Sequence, residues 1–147
     1  MSIRTGRTKF FVIAMAISAA WPLTIAPPAQ ANPCENYQFH EGLTIKQDNN
    51  LYVGFANPAA STFNNVYAHY EVNGFGNEIT SGHANGSVTG TSVDITVNWD
   101  RGPGAGLSNH YTGVVNADGT GQGMSVNSKG SQNVWATAPQ KFSCAGG

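Results

Sequence analysis

The sequence predicts an all-β protein: a single antiparallel up-and-down β-barrel of about seven or eight strands, its ends joined by one disulfide. Three observations predict it. Short runs alternate apolar and polar residues, the period of a half-buried strand. Glycine, asparagine, serine and threonine recur throughout, while strong helix formers are scarce. The only two cysteines, Cys34 and Cys144, stand near the two ends of the segment that comes after an export leader. A two-sheet β-sandwich is the alternative arrangement of the same strands.

Residues 1–31 read as a signal peptide. Arg4, Arg7 and Lys9 form a basic start, FFVIAMAISAA (10–20) an apolar core, and Ala29-Gln30-Ala31 a small-x-small site with cleavage expected between Ala31 and Asn32. The apolar core falls short of the ~20 residues that span a bilayer, and Pro22 interrupts the stretch after it. QANPC also lacks the small residues that precede a lipid-modified cysteine. Removing the first 31 of 147 residues leaves one domain of 116, residues 32–147. That domain sets Lys46, Arg101, Lys129 and Lys141 against eight carboxylates, a net charge of −4. Four scattered cations make no footprint for nucleic acid and no basic cluster for an anionic membrane. Neither partner is expected, nor membrane insertion after processing.

The strands are read in order. LTIKQ (43–47) and LYVGFA (51–56) flank Asp48-Asn49-Asn50 as a first hairpin. NPAASTFNN (57–65) reads as a loop, VYAHYEV (66–72) as a strand, and Asn73-Gly74 as a turn that tolerates positive φ. EITSGHANGSV (78–88), Thr89-Gly90-Thr91 and SVDITVNW (92–99) form the next hairpin, with Val93, Ile95, Val97 and Trp99 on one face. HYTGVVN (110–116), the turn at 117–119 and TGQGMSVN (120–127) form another, and NVWATA (133–138) and KFSC close the chain. Barrel closure removes exposed sheet edges and brings Cys34 to Cys144. A disulfide between them closes a loop of 110 residues, whereas a redox pair or zinc site would need C-x-x-C or nearby histidines at finger spacing.

Candidate chemistry is sparse. WDRGPGAGLSNHY (99–111) is glycine-rich, but it has neither the GxxxxGK[ST] of a phosphate loop nor a helix after it, so it reads as a hairpin connection. At one barrel lip, its Arg101 could meet an anionic ligand. His40, His69, His83 and His110 fall on four separate segments without H-x-x-x-H spacing, and no metal site is expected; His83, in phase with Ser81 and Asn85, is expected to be exposed. Ser87 lacks the glycine two positions earlier that a nucleophile elbow needs. Glu71, Glu78, Asp94 and Asp100 are the acids that could form a hydrolytic pair. Trp99, Tyr111 and Trp135 lie on three strands, where aromatic rings either fill a small barrel or line its ligand cavity.

From Gly86 to Cys144, the run GSVTGTSVDITVNWDRGPGAGLSNHYTGVVNADGTGQG…VWATAPQKFSC resembles small exported proteins of mycobacteria and their relatives. These share a G-x-V-x-G-x-x-V-x-I/F-T-V-x-W core, an HYTG-type strand and a DG turn. More distantly it resembles the avidin and streptavidin barrels of the calycin type. The first resemblance implies secretion and a barrel; the second sets Trp99 and Trp135 near the tryptophans of a biotin pocket. This sequence departs from avidins in three places. Tyr111 stands where a tryptophan is expected, 120–127 has no tryptophan, and KFSC lacks an aspartate. Biotin itself is therefore not expected.

The sequence thus points to a secreted, non-enzymatic, cofactor-free barrel that binds a small apolar or aromatic ligand or acts at the host or cell-envelope surface. Trp99, Tyr111, Trp135 and Arg101 are its candidate ligand residues. A hydrolase using an Asp/Glu or His site and a ligand-free structural or antigenic surface protein are the alternatives. No residue run specifies an oligomer.

Overall fold

The computed structural model describes residues 34–72 and 76–146. The signal peptide, its cleavage site and the Asn73-Gly74 turn lie outside the described residues.

Eight strands close into one antiparallel barrel: β2 (Thr44–Gln47), β3 (Leu51–Phe55), β4 (Thr62–Val72), β5 (Glu78–Thr89), β6 (Ser92–Arg101), β7 (Ser108–Val115), β8 (Gly121–Asn127) and β9 (Gln132–Thr137). Each pairs with its neighbour in sequence, and β9 returns to β2 with Ile45 opposite Thr137 and Gln47 opposite Trp135. The barrel, not the sandwich, is the arrangement formed. Closure gives every strand two partners, so no backbone edge in it is left unpaired.

Alternation sets the core. On β6, Val93, Ile95, Val97 and Trp99 are buried and point inward, as their spacing predicts. Ile45, Val53, Phe55, Ala68, Ala84, Tyr111 and Trp135 meet them from the other strands. Two register shifts matter. One, between Phe63 and Val66, lets β4 begin at Thr62, inside the predicted loop, with Asn65 at φ 50°. There Phe63 turns inward while Asn64 and Asn65 absorb the irregularity as a bulge. The other shift lies between Ser81 and Gly82 on β5 and leaves Asp100 of β6 without an opposite residue.

The two ends of the described segment lie across one pole. β1 (Tyr37–Gln38) pairs with β10 (Ser143–Cys144), and the predicted Cys34–Cys144 disulfide lies beside them, Cα atoms 5.3 Å apart. Phe39 packs against Phe63 and Phe142 with ring centroids 4.7 and 5.6 Å away. Tyr37 N donates to Gly90 O, and Phe142 N to Gly119 O, which ties this plug to the turns of the same pole. At the opposite pole are the turns 48–50, 102–107 and 128–131.

Candidate functional site

Inward positions are apolar near the plug and become polar toward the other pole. Gln47 ends β2, Tyr70 lies near the end of β4, Trp99 near the end of β6, and Asn109 near the start of β7. Gln47, Asn109, Tyr111 and Ser125 are all buried, whereas Tyr70 is partly exposed at this mouth.

These groups form two linked arrangements. Gln47 Nε2 donates to Tyr70 Oη at 3.1 Å and to Tyr111 Oη at 2.9 Å, and the two phenol oxygens are 2.8 Å apart. Trp99 Nε1 donates to Asn109 Oδ1 at 2.8 Å, and the Trp99 indole stacks on the Tyr70 ring with centroids 4.3 Å apart. Trp135 is buried beside them on β9, its Nε1 shared between the carbonyls of Thr112 and Met124 at 3.2 Å each. Its ring occupies space that a side chain at residue 113 would fill: a Cβ on Gly113 would lie 2.5 Å from the indole. Ser125 differs from the rest. Its Oγ is fully buried and has no hydrogen-bond partner.

Burial raises the Tyr111 phenol well above its ordinary value of 10.0, and the neighbouring Tyr70 adds to the rise. Tyr70 is raised too, mainly by burial, against which its hydrogen bonds from Tyr111 and Gln47 act. The unfolded chain releases these protons near 10, while the folded protein holds them. Their contribution to stability is therefore fully present below about pH 10 and is lost as pH rises through the folded pKa. Tyr111→Phe is expected to flatten the alkaline fall of the urea midpoint above about pH 10. An unchanged slope would mean that Tyr111 ionises as readily in the fold as outside it.

The structure brings Trp99, Tyr111 and Trp135 into one interior and sets Arg101 apart. Arg101 is exposed and lines an outer groove of about 240 Å³ with Tyr67, Ser81, Gly82, His83 and Asp100. The bulge at Asp100 is the reason: one extra residue inverts the inward–outward phase after Trp99. The glycine-rich segment turns the chain between β6 and β7. Gly102 takes φ +78°, where a Cβ would meet Ile79 O at 2.3 Å, and Thr80 Oγ1 binds the loop by donating to Arg101 O and accepting from Gly104 N.

The acids and histidines meet in pairs on the outer wall. His69 contacts Glu71 at 2.6 Å, His83 contacts Asp100 at 2.6 Å, and His110 contacts Asp94 at 2.9 Å. Tyr67 donates to Glu78, and His40 is exposed beside the Glu41 carbonyl. His83 is exposed, as its strand phase predicts. Among the described residues, no three His, Cys, Asp or Glu side chains gather to hold a metal ion. A different outer face, on β7–β9, is apolar: Val114, Met124 and Val134 border a groove of about 570 Å³, and Val126 is exposed on the same strands.

Comparison with known proteins adds little to this geometry. No protein-family model matches the chain, and no curated protein sequence matches it. Among solved structures it is similar to rhizavidin, at 16% identity over 68% of this chain and 84% of that one, with a TM-score of 0.44.

Sequence reasoning overlooked Gln47, Tyr70, Asn109 and Ser125. One signal was present: Gln47 shares strand phase with Leu43 and Ile45, and Asn109 with Tyr111, so each is a polar residue at an inward position.

Proposed function

We propose that this protein is a secreted, non-enzymatic barrel that binds a small, largely apolar or aromatic ligand at the pole opposite its disulfide. Trp99, Tyr111 and Trp135 form the apolar walls of that site, and Tyr70 stands at its entrance. The carrying observation is the buried, unpartnered Ser125 hydroxyl within a polar cluster at one end of an otherwise apolar interior. A core selected for stability alone would use apolar side chains there, because an unsatisfied buried hydroxyl costs roughly 1–3 kcal/mol. The leader sequence supports secretion, and the likeness of 86–144 to exported mycobacterial proteins supports an extracellular or cell-envelope setting. His69, His83 and His110 are spread over the outer wall in three separate pairs with Glu71, Asp100 and Asp94, away from the interior, which favours binding over catalysis.

Native mass spectrometry of the protein from its own culture medium tests the reading. An added mass is expected in the native spectrum and not in the denatured one, and Trp99→Ala should abolish it. A native mass equal to the bare chain would overturn the tight-carrier reading. A ligand-free surface protein would then lead, a role favoured by the exposed apolar stripe of Val114, Met124, Val126 and Val134.

A further inference from the structure

Hydrogen counting, applied to the proposed binding site and resting on that reading, narrows the chemistry of its ligand. Leu51 N donates to Asn49 Oδ1 at 3.1 Å, which fixes the Asn49 amide. Asn49 Nδ2 therefore points to Gln47 Oε1, at 3.2 Å, and fixes the Gln47 amide in turn. Reversing Gln47 would set two NH₂ groups against each other. Gln47 Nε2 has two hydrogens, and both go to the phenol oxygens of Tyr70 and Tyr111. Each phenol is thus an acceptor from the amide and still has its own hydrogen to place. Only one hydrogen fits along the 2.8 Å line between the two oxygens. One O–H is left over.

Burial decides which. Tyr111 is fully buried, so its hydrogen goes to Tyr70, while Tyr70 is partly exposed at the mouth and keeps the free one. Ser125 Oγ adds a second group without a partner. Among the described residues no charged side chain is buried, so nothing inside would neutralise an ionic ligand.

We infer that the mouth selects an uncharged ligand with a hydrogen-bond acceptor, such as a carbonyl oxygen, for the Tyr70 hydroxyl, and that the Asn49–Gln47 pair sets this preference. Avoiding an unsatisfied donor is what discriminates: a ligand without an acceptor strips water from Tyr70 and returns nothing.

Four probes of similar shape test the inference by saturation-transfer NMR and titration: acetophenone, cumene, benzoate and 1-phenylethylamine. Acetophenone is expected to bind at least about tenfold tighter than the other three. Tyr70→Phe should remove that advantage without weakening cumene. Gln47→Glu places a carboxylate that takes both phenol hydrogens, and it should transfer the preference to 1-phenylethylamine. Asn49→Ala, outside the core, frees the Gln47 amide to reverse and should narrow the discrimination if Gln47→Glu does not fold. Equal binding of acetophenone and cumene at Trp99 would overturn the polarity inference and leave the site standing. Binding by none of the four would overturn both.

Discussion

Replacing both cysteines by alanine is expected to destabilise the protein by up to roughly 4.7 kcal/mol, the loop-closure entropy of a cross-link this long. The bond joins residues 110 apart, so reduction frees the unfolded chain more than a local staple would. In the folded state it borders the β1–β10 pair and the ring cluster of Phe39, Phe63 and Phe142. Losing it should loosen this plug first. At this chain length each kcal/mol moves Tm by about 4 °C, so urea and thermal midpoints both measure the effect. Midpoints that hardly move would mean that the two-stranded pair and the aromatic cluster hold the ends unaided.

Trp135→Ala is expected to cost about 3–5 kcal/mol, near the upper end for a core truncation. The indole is buried, fills the space above Gly113, and reaches carbonyls of both β7 and β8. Its strand also forms the closing seam, with Gln47 opposite Trp135. Alanine leaves a cavity and removes the indole donor together, and the backbone around Gly113 cannot collapse into the void without shifting a strand. Trp135→Phe should recover part of the loss, because it restores ring volume without the N–H. Equal losses for the two variants would place the whole effect in the hydrogen bonds.

Much of the barrel was legible because its strands repeat with period two, and β6 shows why. Val93, Ile95, Val97 and Trp99 mark the inward face in sequence as clearly as in space. β1 was not legible, since two residues carry no period, and the pairing of β10, which lies within KFSC, with β1 depends on the two ends meeting. The site was read through its aromatic residues, and three of the four candidates do share one interior. Arg101 lies on the outer wall because a single unpaired residue at Asp100 inverts the phase, and that bulge leaves no mark in composition. Gln47 and Ser125 were passed over for another reason. Polarity on a strand reads as exposure even where neighbours mark the inward phase, as Leu43 and Ile45 do for Gln47, and for Ser125 on β8 only the closed barrel fixes it.

The pairing of β2 with β9 sets the order in which this protein can assemble. Every other junction of the barrel joins strands adjacent in sequence, so each can form as a local hairpin. The β2–β9 junction must wait until all the others are in place, because it alone joins the two ends of the sheet. Until then the chain is a curved ribbon with two bare margins, each able to capture a margin of another copy. A cross-link between Cys34 and Cys144 formed early would hold those margins near each other and favour closure within one molecule over association between molecules. The same bond that stabilises the finished barrel would then guard its unfinished precursor, and refolding under reducing conditions should aggregate with a steep dependence on protein concentration.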